Sequence, residues 1–546
     1  MRKAGRNMAA CSDSESSESV LRRRRTGKQR ESSAGDREEP GVEVPLQTGT
    51  YWLTRILLLR SISFIYCVAF AVAYNQNKQL IGQRGLMPSR EYLRSVKRYV
   101  GGKIGAAALA YTPSILWFLD WEDMDTNLDG IALAGMALSG FVLLSGRANM
   151  IIMAALWILY HSITSWESQL LETGFLGIFL CPLWSLDQMP RRCPPSLISI
   201  WTLRWLIVRI MLGAGLIKIR GDRCWRDLTC MDYHYETQPV PNPISYYLHH
   251  SPWWFHRFET LSNHFIELIV PFFTFMGRHM CMVNGVLQIL FQVVLIISGN
   301  LSFLNWLTIV PSIACFDDSA LAFLFRPTGG PRKTLRSIQA EDTAEHSPPP
   351  TKGVCVRVVN VALGVLIAYL SVPVVINLLS PRQVMNTSFD PLRIVNTYGA
   401  FGRSVCLSVL LCLHVCTFFS VCTSVCFCLS FSVCPLLSVY HFNLLCFSVF
   451  STYEQNEWVI QIAGRLLAND STVLSLLGHN PFEGREKPRW IRGEHYRYKF
   501  TRPGSSSAAQ GKWWARKRIG PYFPPLNLEG LRSYFKSRNW PQPDRQ

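Results

Sequence analysis

Long apolar stretches separated by short polar segments run from residue 50 to residue 380. A helix needs about 20 mostly apolar residues to cross a bilayer. Several stretches are short or carry charge, and one is long enough for a crossing and a return, so we expect about five to nine crossings. The candidate membrane helices are 56–74, 104–119, 128–144, 150–164, 174–186, 197–219, 265–276, 283–316 and 354–379.

Residues 1–49 are rich in Ser, Glu and Arg and almost free of large apolar side chains. This composition predicts a disordered tail rather than a cleavable signal peptide, so the first apolar stretch would act as the membrane anchor. Arg22 to Arg25 precede that stretch, and cytosolic segments carry an excess of positive charge, which places the tail in the cytosol. A nuclear signal is the alternative, but so apolar a chain would not reach the nucleus in soluble form.

Residues 326–353 are polar, basic and rich in Pro and Gly, which predicts a linker on the cytosolic side. The apolar stretch that follows would be the last membrane span, residues 354–380 of the chain. It would carry residues 381–546 to the opposite side, the lumen of the secretory pathway. A cytosolic N-terminus and a lumenal C-terminal domain require an odd number of crossings.

The C-terminal region has the patterns of a folded domain. Residues 458–468 have helical apolar spacing, and Tyr496, Tyr498 and Phe500 alternate with basic residues, as in a half-buried strand. A Pro-Gly-Ser loop at 503–508 separates that strand from a second aromatic stretch, which predicts a hairpin. The expected fold is an α-helical multi-pass membrane bundle at 50–325 followed by a β-rich lumenal C-terminal domain at 381–546.

Residues 404–451 interrupt this domain with a stretch that contains no Asp, Glu, Lys or Arg. Ser-Val-Cys recurs at Ser404, Ser420, Ser424 and Ser432, as a TCTG repeat would encode. We therefore interpret 404–451 as an intron-like insert, translated from non-coding sequence. If it is instead a membrane span, it reverses the predicted topology.

Composition agrees with a membrane protein that has a basic water-facing end. The chain is 49% hydrophobic and 17% charged, whereas soluble domains average about 25% charged residues. The net charge of the chain is +18, and over half of this excess lies in 480–546, which holds fifteen basic and five acidic residues. Nucleic acid, anionic lipid or an acidic protein could account for such a balance, and a lumenal location disfavours nucleic acid.

Two features suit an oxidising lumen. Cys224 and Cys230 lie six residues apart in a polar loop, where they are a candidate disulfide, although two free thiols would have the same spacing. Eight of the seventeen cysteines lie in the insert and are discounted. Asn386 and Asn469 begin candidate glycosylation triplets, and both fall on the predicted lumenal side.

The most informative polar residues lie in and after a Cys- and aromatic-rich loop at 220–260. On a helix, His256, Glu259, Asn263 and Glu267 would share one face, which makes them a candidate polar membrane face. Such a face can be a catalytic or metal site of an intramembrane enzyme acting on lipid or protein. It can equally be a hydrogen-bonded seam between helices, the interpretation we favour. We predict no metal and no cofactor.

Two further groups in the membrane region have alternative interpretations. Arg204 and Arg209 lie inside 197–219, where buried charges mark either a structural ion pair or a polar cavity. Five aromatic residues suit either a membrane interface or an exposed anchor for a client protein. These aromatic residues are Trp225, Tyr246, Tyr247, Trp253 and Trp254.

Several long strings closely resemble the lipase maturation factor family, and its founding member most of all. The resemblance covers roughly 50–541, departs sharply after Gly402 and resumes at Thr452, in agreement with the insert. The strings are GDRCWRDLTCM (221–231), YETQP (235–239), PNP (241–243), LHHSPWWFHRFE (248–259), NTYGAFG (396–402), HNPF (479–482), RGEHYRYKF (492–500) and KWWARKRIGPYFPPL (512–526).

The resemblance implies a non-catalytic folding factor of the endoplasmic reticulum membrane. Its clients would be secreted triglyceride lipases, such as lipoprotein, hepatic and endothelial lipase, whose folding and dimer assembly it would assist. The lipid bilayer and other lumenal folding and redox proteins are the further partners implied. The family's cytosolic N-terminus and lumenal C-terminal domain agree with the topology expected from charge.

Overall fold

The structure is a computed structural model, and it describes only part of the chain. The predicted tail up to residue 45, the end of the predicted linker and most of the insert lie outside the described residues. The described residues are 46–163, 167–191, 193–237, 242–299, 304–327, 329–344, 354–399, 409–418, 421–426, 453–454, 457–476, 486–538, 540 and 542–543.

The first part of the described chain is helical. Its α-helices are α1 Trp52–Ile81, α2 Ser89–Tyr99, α3 Ala106–Tyr111, α4 Met124–Ser145, α5 Met150–Ile163, α6 Ser168–Ile178, α7 Leu197–Arg220, α8 Arg223–Arg226, α9 Met231–His234, α10 Pro243–His249, α11 Trp253–Leu268, α12 Arg278–Ser298, α13 Leu304–Ile313, α14 Asp318–Leu321, α15 Gly330–Ala344 and α16 Val354–Leu379. Short 3₁₀ helices lie at Ile115–Phe118, Val270–Phe275 and Ala322–Leu324.

Five of the described helices are long and apolar enough to cross a membrane, which confirms a multi-pass membrane protein. They are Trp52–Ile81, Met124–Ser145, Leu197–Arg220, Arg278–Ser298 and Arg357–Leu379. Two shorter apolar helices, Met150–Ile163 and Leu304–Ile313, lie between them.

Three of the predicted membrane helices differ in the structure. The stretch 104–119 is not one helix, because Thr112 is extended before Pro113 and only α3 and a 3₁₀ turn remain. The stretch 174–186 corresponds to α6, which ends at Ile178, ahead of Pro182. The stretch 265–276 holds the end of α11 and the 3₁₀ helix Val270–Phe275.

Polar contacts define the two ends of the bundle, which we call the first and second faces. At the first face, where α1 begins, the Tyr51 hydroxyl accepts a hydrogen bond from Arg204 near the start of α7, at 2.9 Å. At the second face, where α1 ends, Lys78 pairs with Asp129 near the start of α4, at 2.8 Å. Consecutive long helices α1 and α4 are therefore antiparallel.

Small residues allow the aromatic core of the bundle to pack closely. Tyr66 and Phe70 of α1 are fully buried, and their rings lie 5.5 and 6.0 Å from that of Tyr160 on α5. A Cβ at Gly174 would overlap the Tyr66 hydroxyl, and one at Gly135 would overlap the Phe70 ring. Glycine at these two positions is therefore a packing requirement.

The predicted linker is partly a helix. Helix α15 occupies most of it, and Leu335 and Ile338, three residues apart, are buried in a cluster with Trp52 and Leu53 of α1. This spacing places both side chains on one side of the helix. Pro and Gly content did not reveal this helix, which contacts the start of α1 through Leu335 and Ile338.

The C-terminal part contains an antiparallel sheet and short helices, as predicted. The sheet has the order β2-β1-β3-β4, and its strands pair antiparallel. The elements are β1 Val409–Phe418, β2 Val421–Cys426, α17 Glu457–Ala468, α18 Ser471–Leu474, β3 Trp490–Phe500, α19 Ser506–Ala509, β4 Trp514–Asn527 and α20 Leu528–Ser537.

The predicted hairpin is formed by β3 and β4, and α17 and α20 pack on it through a separate apolar core. Phe523 and Phe535 are its largest fully buried side chains. Both β1 and β2 belong to the insert, and β1 pairs with β3 from Val409↔Arg497 to Cys416↔Trp490. The described part of the insert thus forms the outer half of the sheet.

Candidate functional site

Residues 221–237 and 242–252, between α7 and α11, lie on the second face of the bundle, and we call them the cap. Cys224 and Cys230 are joined as a disulfide that closes a short loop. Trp225 within this loop is 1% exposed, and its ring lies 5.1 Å from the Lys218 ammonium of α7. The Trp225 carbonyl lies 2.9 Å from His264 Nε2 of α11, so the cap is held on both α7 and α11.

The structure places the first two residues of the predicted polar face against this cap. His256 Nδ1 lies 2.8 Å from the Asp232 carboxylate, and His256 Nε2 lies 3.0 Å from the Leu248 carbonyl. The Tyr235 hydroxyl donates a 2.7 Å hydrogen bond to Glu259. One turn of α11 therefore joins α9 and α10.

The other two residues of the polar face contact α7. The Lys218 ammonium donates to Asn263 at 2.9 Å and to Glu267 at 2.6 Å. Both Lys218 and Glu267 are buried, and burying such a pair is tolerated when the charges are hydrogen-bonded. All four predicted side chains thus lie on one face of α11 with protein partners, and no metal-binding cluster of His, Cys, Asp or Glu occurs in the described ranges.

The two predicted buried arginines of α7 have different partners. Arg209 forms a fully buried ion pair with Glu172 of α6 and donates a 2.9 Å hydrogen bond to the Asn396 carbonyl. Arg204 donates at 2.9 Å to the Ala314 carbonyl, in addition to its bond to Tyr51. The structure thus provides the ion pair that we considered for Arg209.

Sequence reasoning missed the other members of this buried network. The Glu172 carboxylate accepts hydrogen bonds from the Tyr398 hydroxyl at 2.6 Å and from the Asn396 backbone and side chain at 3.1 Å. Asn396 and Tyr398 lie 17 and 19 residues after the end of α16, so they tie the start of the C-terminal region into the bundle. The available signal was Glu172 itself, a single acidic residue among the mostly apolar residues 170–180.

The cap also contacts the C-terminal sheet at the end of β3. Glu236 accepts a 2.8 Å hydrogen bond from the Phe500 backbone N–H and pairs with His249 at 3.2 Å. The Phe500 ring stacks on Trp514 of β4 at 4.1 Å and meets the Tyr246 ring edge-on at 5.4 Å. The Glu236 carboxylate and a group of aromatic ring contacts centred on Phe500 thus connect the two parts.

Burial and hydrogen bonds shift the pKa values of three cap residues. Burial lowers the pKa of His234 to about 4, so its imidazole is neutral at neutral pH. Burial alone would raise the pKa of Glu236, but hydrogen bonds from His249 and from the Phe500 N–H lower it overall. Burial and the nearby Glu259 carboxylate raise the pKa of Tyr235, which keeps its hydroxyl a donor.

Three of the exposed aromatic side chains around this junction are grouped here as the aromatic surface. They are Tyr247, Trp253 and Trp513, which are 66%, 71% and 37% exposed. The Tyr247 and Trp513 rings lie 6.2 Å apart, so the surface joins the cap to the sheet. Two of the five predicted anchors are not available, because Trp225 and Tyr246 are buried by the cap itself.

Both candidate glycosylation residues lie in turns after helices. Asn386 is exposed and follows α16, and Asn469 is half-buried and follows α17. Their φ angles are +50° and +54°, a backbone conformation that asparagine adopts more readily than most residues. Residues 479–482, which belong to one of the quoted strings, lie outside the described residues.

Comparison with known families gives two matches. Residues 53–323 match the lipase maturation factor transmembrane domain, and residues 432–524 match the lipase maturation factor C-terminal domain. The first match contains α1 to α14 and the cap, and the second contains β3 and most of β4. The second match begins inside the insert, whereas 404–431 lies outside both matches.

Similar proteins extend over nearly the whole chain. Lipase maturation factor 1 of Bos taurus is 60% identical, over 96% of this chain and 98% of its own length. Lipase maturation factor 1 of Homo sapiens is 57% identical, over 96% and 97%. Lipase maturation factor 2 of Xenopus laevis is 35% identical over 51% of this chain.

No solved structure matches the chain. The two family matches cover the membrane bundle and part of the C-terminal sheet separately, and the alignment with the Bos taurus relative spans both parts. The chain therefore belongs to the lipase maturation factor family.

Proposed function

We propose that this protein assists the maturation of secreted triglyceride lipases at the endoplasmic reticulum membrane. The observation that carries the proposal is identity of 57–60% over nearly the full length of proteins named lipase maturation factor 1. The clients are lipoprotein, hepatic and endothelial lipase, and the assistance includes folding and dimer assembly.

The arrangement of helices supports a cytosolic N-terminus and a lumenal C-terminal domain. Helices α1, α7 and α16 run in one direction: Trp205 of α7 contacts Ser371 of α16 at 2.9 Å, and Arg220 at the end of α7 contacts the Leu378 carbonyl at 2.6 Å. The residues before α1 and those after α16 therefore lie at opposite faces. The disulfide of the cap suits the oxidising lumen, on the same side as the C-terminal sheet.

The aromatic surface is the part best suited to bind a client. Partly folded lipases expose apolar segments, and rigid Trp and Tyr rings bind such segments at little cost in conformational entropy. The buried Tyr246 ring lies 5.5 Å from the Tyr247 ring and 4.9 Å from the Trp513 ring, and the Arg257 guanidinium lies 5.8 Å from the Trp253 ring. The hydrogen-bonded seam accounts for His256, Glu259, Asn263 and Glu267 without intramembrane catalysis.

The test is rescue of lipase secretion in cells that lack the factor. We expect the combined Tyr247→Ala and Trp253→Ala variant to lower secreted lipase activity at least several-fold, with the level of the factor itself unchanged. The matched control is Phe323→Ala, an equally exposed aromatic residue beside the first face. Normal rescue by the double variant at wild-type protein level would contradict the role of the aromatic surface.

The insert needs a separate test. We propose that 404–451 is translated non-coding sequence and that a chain without it rescues lipase secretion at least as well as the full chain. The pairing of β1 with β3 makes this a demanding test, because deletion removes that partner from the edge of β3. Continuous coverage of this region in mature transcripts, together with lost rescue on deletion, would refute the proposal.

A further inference from the structure

The connection between α7 and α12 has to return across the membrane. Both helices begin at the first face: Arg204 of α7 contacts Tyr51, and Arg278 of α12 contacts Asp317 at 2.6 Å. Asp317 also accepts a 3.0 Å hydrogen bond from the Gly49 N–H, just before α1. Because α7 ends at the second face, the chain must cross back between residues 221 and 277.

One segment of that connection follows α7 along its length. Near the second face, Lys218 binds Asn263 and Glu267, and a Cβ at Gly215 would lie 2.7 Å from Leu268. Near the first face, the Trp201 ring stacks on Phe275 at 6.3 Å. Residues 201 and 218 of a helix are about 25 Å apart, close to the roughly 30 Å of a hydrocarbon core.

The segment has one polar and one apolar side. The polar side is the seam described above, and the apolar residues lie opposite it at helical spacing. Six of them are between 43% and 64% exposed in the protein. They are Trp254, Phe258, Leu261, Phe265, Phe272 and Met276.

This apolar side continues onto a membrane-spanning neighbour. Val286, Leu290, Val294 and Ile297 of α12 are each at least 50% exposed, and α12 has the length and apolarity of a crossing. The apolar side of the segment and the exposed side of α12 lie next to each other. Both therefore face the same surroundings, the acyl chains of lipid.

The segment is interrupted in a way that bilayers tolerate. Helix α11 ends at Leu268, and Pro271 has no N–H to continue the hydrogen-bond ladder. Two buried polar side chains of α12 face the break: Gln288 donates to the Ile266 carbonyl at 3.2 Å, and Asn284 donates to the Thr274 hydroxyl at 3.0 Å. Broken helices occur at membrane depth where neighbouring side chains bond to the freed backbone, as Gln288 does here.

We propose that residues 254–276 form a discontinuous membrane crossing, with its polar side on α7 and its apolar side in contact with lipid acyl chains. It separates the cap on the second face from Gly277 on the first face. The inference does not depend on the proposed function, because no lipase enters the argument.

Photo-crosslinking in intact microsomes tests the lipid contact. A photoreactive amino acid at Leu261 or Phe265 should form adducts with a labelled fatty acid incorporated into membrane lipids. The matched control is Thr260, which is on the same helix and 0% exposed, and it should give at least tenfold fewer adducts. Adducts mainly with a lipase or with a second copy of the chain would overturn the proposal.

Topology provides a second, independent readout. Epitope tags inserted after Ser251 and after Gly277 should lie on opposite sides of sealed microsomes, so that added protease removes only one of them. With the orientation proposed above, this is the tag at 277. A tag after Gly102, in the loop beyond the end of α1, should be protected like the tag at 251. Protection or digestion of both tags at 251 and 277 would show that the segment does not cross.

Discussion

The Glu172 carboxylate is the residue on which the inner polar network converges. It is completely buried, and a cation, a hydroxyl and an amide all bond to it. Such a group stabilises the fold only while its partners are in place, because a buried charge without a partner is costly. His234 is also buried, and burial keeps its imidazole neutral, so protonating it in the folded chain is costly.

Replacing the charge of Glu172 should therefore destabilise the bundle strongly. We expect Glu172→Gln to lower the free energy of unfolding by about 3–5 kcal/mol, because it leaves Arg209 buried without a counter-ion. Thermal unfolding in detergent measures the change. The control is Glu341→Gln, whose pair with Arg191 is more than half exposed and should change stability by less than about 1 kcal/mol. Equal effects of the two substitutions would refute this interpretation.

His234 should make the cap sensitive to acid. Its pKa is about 4 in the folded chain and 6.5 when solvated, so the unfolded chain binds a proton that the folded chain does not. Stability should therefore fall as pH falls from about 6.5 to about 4, by up to about 3 kcal/mol. The lowered pKa of Glu236 adds a loss in the same direction below about 4.5.

The pH dependence of thermal unfolding tests this account. His234→Gln should flatten the dependence between pH 6.5 and 4, whereas His279→Gln, at an exposed position on α12, should leave it unchanged. If His234→Gln retains the full acid sensitivity at a normal level of folded protein, another group is responsible.

At the scale of elements, the junction of the cap with β3 depends on few contacts. Phe500 is 8% exposed and contacts the cap through its ring and its backbone N–H. The strand can therefore keep its ladder to β4 while the junction weakens. Loss of the junction would expose the cap and the end of the hairpin together.

Phe500→Ala should loosen this junction. Truncation of a buried Phe typically costs about 3–5 kcal/mol, and we expect faster cleavage of the C-terminal region by limited proteolysis of the purified protein. Ile519→Ala, on the exposed side of β4 at 54% exposure, is the control and should leave cleavage unchanged. Indistinguishable cleavage rates for the two variants would mean that Phe500 does not hold the junction.

The sequence predicted those elements whose signal is local. The stretch 354–379 coincides with α16, and alternation at 496–500 correctly placed the end of β3. The stretch 104–119 failed because apolar content was counted without the break at Pro113. Partners far apart in sequence could not be found, since nothing in a single chain connects Glu172 with Asn396, 224 residues later.

In the candidate site too, the sequence predicted the local pattern but not the long-range partners. The periodicity of α11 brought His256, Glu259, Asn263 and Glu267 to one face, because helical spacing alone determines which side chains share a side. Their individual partners, and the burial of Trp225 and Tyr246, depend on how the cap folds back on α7 and β3. That folding is set by tertiary contacts, which a periodic pattern does not contain.

At the scale of the whole molecule, the topology proposed above divides the chain between two compartments. The side of the membrane that holds Asn386 and Asn469 should be the one that holds the cap disulfide, because α7 and α16 end at the same face. Attached glycans would report this side directly.

Glycosylation should occur at Asn386. Asn386→Asp removes the acceptor while keeping a residue that tolerates a positive φ, and Asn469→Asp does the same at the second position. We expect endoglycosidase to increase the gel mobility of the wild-type chain, and Asn386→Asp to abolish at least one step of the shift. Protease digestion beyond residue 458 in sealed microsomes would place the domain on the wrong side for lipase maturation.

The start of α1 has a consequence for the order of events during synthesis. Its backbone N–H groups at Trp52 and Leu53 donate to the Asp318 carboxylate at 2.8 and 2.7 Å, although 266 and 265 residues separate these pairs. Ribosomes add about 5–20 residues per second, so the first helix waits roughly 10–50 s for the side chain that completes its N-terminal end. Nascent chains that end before Asp318 would present an uncapped helix to the translocation machinery. The bundle can close only when translation is more than half complete.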